Sequence, residues 1–331
     1  MEDRSTSSSN SNSKILNSAL LSRVSSLHVL VNKLLWGYKT GSFRSIRKDS
    51  GIEFLEHKDY TIGEDIRDVD WRVSARREQL LVRKYQAESD LTAIIALDVS
   101  ADMSIGTLPP IEESWLYKDK FTRGVVIAAT MAKFLQNKGE KVGLLLMGTH
   151  QEESSLPRFV PLTWLPAKSS NLHFVEIMTK LAECVPQGMA QIGKNLEYVA
   201  QHIPSRSLLY IISDFMEEPK TWSYALPFFH SKNIDLRLIH MFAQREFTMQ
   251  ISKAHRFLSH EDPQFLALDP EEIREPFLQI VQEYLQELQD IVGISNSTYI
   301  PDPLESPIEE AFLSMVLNRH SNPTTVVPTN N

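Results

Sequence analysis

Apolar and polar positions change period several times along the chain, and each change marks an element. Over residues 14–36, Leu16, Leu20, Val24, Leu27, Val31 and Leu34 recur at steps of four and three, which is one face of an amphipathic helix. Gly37 follows as its expected stop. Arg23, His28 and Lys33 interrupt the run, so it cannot span a membrane, and its apolar face is expected to dock on the protein's own core. From Leu91 to Met241, short wholly apolar runs alternate with helical stripes. Strands are predicted over 93–98, 141–147, 208–213 and 234–241. Helices are predicted over 121–135, 172–184, 196–203 and 221–231, the first on the stripe Phe121, Val125, Ala128, Ala129, Ala132 and Leu135. Apolar runs set between helices predict a parallel sheet covered on both faces. Asp269-Pro270-Glu271-Glu272 is a helix start, with a capping Asp and Pro in the first turn. A final strand over 297–300 and a last helix from Ser306-Pro307-Ile308-Glu309 to Asn318 follow.

Residues 41–88 have another character, with acids and bases closely interleaved. Such mixing describes ion pairs and a solvated surface rather than a nucleic-acid stripe. Strands are predicted at 52–60 and 80–85, with Gly63-Glu64-Asp65 as a turn between them. Asp70-Trp71-Arg72 reads either as a structural knot around an indole or as a surface anchor for a partner. The expected organisation is therefore a loose Ser/Asn-rich tail (1–13), a helix and charged β element (14–90), a large α/β domain (91–319) and a flexible tail (320–331).

Composition narrows the function. The chain has 331 residues, 42% of them apolar, and a formal net charge of −8. That is enough apolar material for a sizeable core, and the acidic balance argues against nucleic acid as the main partner. The single Cys184 forms no internal disulfide, in keeping with a reducing compartment. With no secretory signal pattern and no apolar run of membrane-spanning length, the expectation is a cytoplasmic protein without an integral membrane segment.

The chemistry concentrates where the apolar runs end. Ala93-Ile94-Ile95-Ala96-Leu97 runs into Asp98, then Ser100 and Asp102 at steps of two. The run over 208–213 ends in Asp214. Carboxyl ends of parallel strands lie on one edge of the sheet, where open α/β sheets place their ligands. Oxygen ligands grouped in this way suit a hard cation. They equally suit a strand end whose acid caps the next turn.

With these residues in view, the chain resembles the domain of unknown function 58 family, von Willebrand factor A-like proteins found with MoxR-type AAA+ ATPases. The most specific part is Gly51-x-Glu53-Phe54, Tyr60-x-x-Gly63-Glu64-Asp65-x-Arg67 and Asp70-Trp71-Arg72, in family order and spacing. The resemblance implies a Rossmann-like A domain whose strand ends form a metal-ion-dependent adhesion site holding Mg²⁺ or Mn²⁺. Asp98 and Ser100 match its first two ligands and Asp214 its late Asp. Asp102 stands where Ser is usual, and Lys194 where the middle Thr is usual. An ammonium can replace a divalent ion as counter-charge, so Lys194 is expected to pair with Asp98, Asp102 or Asp214.

The resemblance further implies a non-enzymatic adaptor for a MoxR-type ATPase and a client protein. The alternative is a metal-dependent phosphoryl-transfer hydrolase with Asp98 as nucleophile. Its expected second acid two residues on is here Ser100. No glycine-rich phosphate loop or nucleophile elbow occurs.

Overall fold

The computed structural model describes residues 7–40, 56–59, 71–77, 81–84, 91–106, 119–148, 161–248, 255–258, 265–268, 270–295, 297–317, 321 and 323. Two compact units emerge: residues 36–90 form one, and residues 1–35 with 91–331 form the other. This departs from the expected grouping of 14–90, because the chain up to Leu35 belongs with the larger unit.

The small unit contains β1 (Glu56–Asp59), α2 (Trp71–Arg77) and β2 (Leu81–Lys84). β1 and β2 pair antiparallel, Glu56 opposite Lys84 and Lys58 opposite Val82. Trp71 and Arg72 open α2. Asp65, Arg67 and Asp70 of the family signature lie outside the described residues, as does the turn at Gly63.

The first helix, α1 (Ser7–Thr40), belongs to the large unit as far as Leu35. The helix extends beyond both ends of the expected 14–36 span, taking in polar residues assigned to a loose tail and passing through Gly37. Leu27, Val31, Leu34 and Leu35 are buried, as the apolar stripe requires. The remaining strands are β3 (Thr92–Asp98), β4 (Lys141–Met147), β5 (Thr163–Lys168), β6 (Leu208–Ser213), β7 (Asp235–Phe242) and β10 (Thr298–Pro303). β8 (His255–Leu258) and β9 (Phe265–Leu268) form a separate antiparallel hairpin. The six-stranded sheet runs β10-β7-β6-β3-β4-β5. Numbered by appearance, that is the doubly wound order 3-2-1-4-5-6, whose direction reverses between β3 and β6. All neighbours are parallel except β5, which runs antiparallel to β4. β5 has no counterpart in the sequence reading. It is a half-exposed edge strand carrying Pro166, and Pro is tolerated only at such an edge.

Helices cover both faces. α3 (Lys120–Asn137) packs on β3, β4, β6 and β7, flanked by α4 (Asn171–Glu183) and α10 (Ile308–Val316). On the opposite face Ile94, Ala96, Leu209 and Ile211 share one core with three further helices. These are α5 (Ile192–His202), α7 (Leu226–Ser231) and the long α9 (Pro270–Ser295). The expected helix over 221–231 is broken into α6 (Lys220–Ser223) and α7. Pro227 lacks the N–H that would continue the helical ladder across the junction. A short α8 (Gln244–Thr248) follows β7. Among the described residues no helix is long and apolar enough to cross a membrane.

α3 is buried almost all round, including Gly124, where a Cβ would come within 2.8 Å of Leu97 Cδ1. Gly143 on β4 is tighter still. A Cβ there would meet Ile94 Cδ1 at 2.6 Å and the backbone oxygen of Leu165 at 2.8 Å, where the β4–β5 register slips. Gly143→Ala is therefore expected to push β5 outward and to cost about 1–3 kcal/mol. Urea unfolding reads this as a lower midpoint at unchanged slope.

Candidate functional site

The acids at the strand exits come together because β3 and β6 are adjacent and parallel, with Leu97 opposite Ile212. Asp98 is buried at the end of β3. Its Oδ1 accepts from the Ser100 amide at 2.8 Å and its Oδ2 from the Ser213 hydroxyl at 2.6 Å. Burial, and then the charge of Asp214, push the Asp98 carboxyl up to about 7, against the opposing pull of the Ser213 and Ser100 hydrogen bonds. Ser100 is buried at the start of a 3-10 turn, Ala101–Ser104, in which Asp102 is half-exposed. Loop residues 187 and 188 hold this turn: Gln187 N donates to Val99 O, and Ala101 N donates to Gly188 O.

Asp214 is buried on the other side of the switch point. Its Oδ1 accepts from Met216 N at 3.2 Å, and its Oδ2 lies 2.6 Å from Lys120 Nζ. Lys120 opens α3, just after Asp119 caps the helix by accepting from Thr122 N. It is fully buried and reaches a second carboxylate, Glu246 Oε1, at 2.7 Å. Burial alone would discharge the ammonium, but Asp214 and Glu246 outweigh it and its pKa lies above the ordinary lysine value. Glu246 in turn accepts from Ala243 N through Oε2. One turn along α3, the Arg123 guanidinium grips Asp302 of β10, with Nε 2.9 Å from Oδ2, and donates to Ser306 O. Two buried cations of one helix thus hold acids at the ends of β6 and β10 and just beyond β7.

The backbone around Asp214 is held in an uncommon shape. Phe215 sits at φ +51°, a left-handed conformation that costs a non-glycine residue roughly 1–3 kcal/mol. Its N–H donates to Ser213 Oγ, its carbonyl accepts from Tyr284 Oη, and its buried ring meets Trp222 and His240. Gln191, at φ +47°, precedes α5, whose first amide, Ile192 N, donates to the Glu217 carboxylate. His240 of β7 is enclosed by Phe215, Phe247 and Tyr299, with Nδ1 2.7 Å from Tyr299 Oη. Burial pulls its pKa down to about 4.

Of the residues singled out by sequence, the structure brings Asp98, Ser100 and Asp214 to one edge, with Asp102 on the rim. Lys194 is not with them. It lies exposed in the first turn of α5, and the buried ammonium among the acids is Lys120. Sequence reasoning also missed Glu246, Arg123 and Asp302. One signal was available: Lys120 lies one turn ahead of inward-facing Gly124, on the buried side of the stripe.

The implied divalent ion can be tested against this donor set. Mg²⁺ demands near-octahedral oxygen coordination. Here a buried ammonium lies 2.6 Å from one Asp214 oxygen and would repel a dication there, the other Asp214 oxygen accepts from an amide, and both Asp98 oxygens accept hydrogen bonds. Among the described residues, no three His, Cys, Asp or Glu side chains are grouped so as to hold a metal ion. The residues present do not fit the ion.

Sheet order and strand-end acids define a doubly wound α/β protein with its candidate site at the topological switch point. Residues 56–279 match the family described as Protein of unknown function DUF58, and the chain belongs to that family. Rv1480, an uncharacterized protein of Mycobacterium tuberculosis, is 25% identical over 207 residues, 61% of this chain and 59% of that protein. Mb1516 of Mycobacterium bovis matches to the same extent. The chain therefore spans less than two thirds of these relatives. Similar solved structures include an aerotolerance-related membrane protein from Bacteroides fragilis (14% identity, TM-score 0.44, covering 69% of this chain and 98% of that one). BatB from Bacteroides thetaiotaomicron (12%, 0.42, 69% and 98%) and the SpRpn10 VWA domain (12%, 0.36, 68% and 94%) are others.

The two perturbed groups give stability opposite pH dependences. His240, lowered from 6.5 to about 4, contributes stability that is present above pH 6.5 and lost as pH falls through 4. Asp98, raised from 3.8 to about 7, contributes stability that is present below pH 3.8 and lost as pH rises through 7. Urea unfolding from pH 4 to 8 should therefore show Asp98→Asn gaining on the wild type as pH rises. His240→Phe should gain on it as pH falls below 6.5. Each difference is of order 3 kcal/mol across its window.

Proposed function

We propose that the protein is a non-enzymatic, protein-binding adaptor that acts with a MoxR-type AAA+ ATPase in assembling or maturing a client complex, using the carboxyl edge of its sheet as the contact surface. The reading rests on membership of the DUF58 family and on the resemblance of its signature to ATPase-associated members. The observation that carries it is what borders the switch point. Met189 and Met216 are 51% and 46% exposed, and each adjoins a residue fastened to the site. Gly188 O holds Ala101 N, and Met216 N itself bonds Asp214. Exposed thioethers on a fixed backbone make an adaptable apolar contact for a partner. Asp102 and Glu217 add polar groups to the rim.

The test is co-purification from the source organism with the tagged full-length chain. A AAA+ ATPase of the MoxR type, identified by mass spectrometry, is expected with the wild type. It should fall at least about tenfold, a loss of roughly 1.4 kcal/mol, with Met189→Asp/Met216→Asp. The thermal midpoint should change little, because both side chains are about half exposed. Equal recovery with the variant, or none with the wild type, would refute the reading.

A further inference from the structure

The geometry points to a strand-end site that carries its own cation: the Lys120 ammonium, tethered through α3, takes the charge-balancing place of a divalent ion, and the site works without metal. The inference concerns the counter-charge alone and holds whatever partner the edge binds.

Three observations carry it. First, Lys120 is the fully buried first residue of the helix that follows the Asp98–Ser104 segment, so the chain itself delivers a positive charge to the switch point. Second, that charge is spent on the acids. Nζ lies 2.6 Å from Asp214 and 2.7 Å from Glu246, both at or just beyond the ends of neighbouring strands. Two carboxylates at this distance stabilise an ammonium even in a poorly solvated site. A dication placed on the same Asp214 oxygen would sit against a buried positive charge. Third, the other groups do not assemble a coordination shell. Asp98 uses its oxygens on Ser100 and Ser213, Asp102 stands at the half-exposed rim, and Lys194, expected from the resemblance at the threonine position, is exposed. Glu246 has no counterpart in the adhesion-site pattern, and it is the second carboxylate that a resident ammonium needs.

Ion titration of the full-length chain is decisive. Mn²⁺ is followed by loss of the free-ion electron paramagnetic resonance signal, and thermal melts are run in Mg²⁺ and in EDTA. The wild type should take up no Mn²⁺ that Asp214→Asn abolishes, and should melt at the same temperature in both buffers. Uptake unaffected by Asp214→Asn is surface binding and agrees with the proposal. Micromolar uptake abolished by Asp214→Asn overturns it. So does a midpoint raised by about 5 °C or more when Mg²⁺ is ~100 times the dissociation constant. Lys120→Ala supplies the converse. It should melt lower than the wild type, because Asp214 and Glu246 lose their shared counter-charge, and any Mn²⁺ uptake it gains should vanish in Lys120→Ala/Asp214→Asn. A folded Lys120→Ala that melts at the wild-type temperature overturns the proposal. If Lys120→Ala does not fold, Lys120→Gln, which keeps the chain length and loses the charge, is read in the same way. ATPase co-purification is read on Met189 and Met216 and ion uptake on Lys120 and Asp214, so the two proposals fail separately.

Discussion

One helix fixes the carboxyl edge of the sheet. α3 is apolar enough to be buried on nearly every side, yet it begins with Lys120 and carries Arg123 one turn on, both buried. An unpaired charge in such a place would be expelled or discharged. These stay because each finds carboxylates in direct contact: Asp214 and Glu246 for the lysine, Asp302 for the arginine. Because the partners sit at or just beyond the ends of β6, β7 and β10, the position of one helix sets the ends of three strands. Buried pairs of this kind add little net stability, but losing one partner leaves the other stranded, at about 3–5 kcal/mol. They therefore act mainly on geometry: they specify where α3 sits and hence where the acids point.

The same edge accepts local strain. Phe215 and Gln191 both adopt left-handed backbone conformations, and both lie within a residue or two of site segments. The surroundings hold them there. Tyr284 from α9 grips the Phe215 carbonyl, and Glu217 satisfies the first amide of α5. The aromatic shell of Phe215, Phe247 and Tyr299 around His240, with Trp222 packed on Phe215, is the apolar counterpart of the α3 ion pairs, on the same strand exits. Its cost is visible in His240, which stays neutral far below its ordinary titration range.

Much of this was legible from residue order alone. Apolar runs ending in Asp98 and Asp214 placed two acids at strand exits, and the alternation from Leu91 to Met241 gave the layered sheet. What escaped were features decided by tertiary packing. A lysine at the first position of a helix reads as solvated, because nothing local reveals that acids from β6 and from beyond β7 arrive above it. The resemblance points to Lys194 as the counter-charge, but its side chain faces solvent. The break between α6 and α7 was visible in Pro227, but the apolar stripe around it masked the signal. β5 is short, half-exposed and Pro-bearing, so its pairing comes from the free edge of β4 rather than from any periodicity of its own.

The position of α1 has a consequence for how the polypeptide acquires its form. Its inward residues, among them Leu27 and Val31, are covered only when later parts of the large unit are in place. Val24 and His28 share a cleft with Lys133 of α3 and with Phe174 and Met178 of α4. During translation that greasy surface emerges early, while its cover is made about 150 residues later. At roughly 5–20 residues per second the delay is of order ten to thirty seconds. For that interval the helix lacks the α3 and α4 side chains that share its cleft in the folded unit.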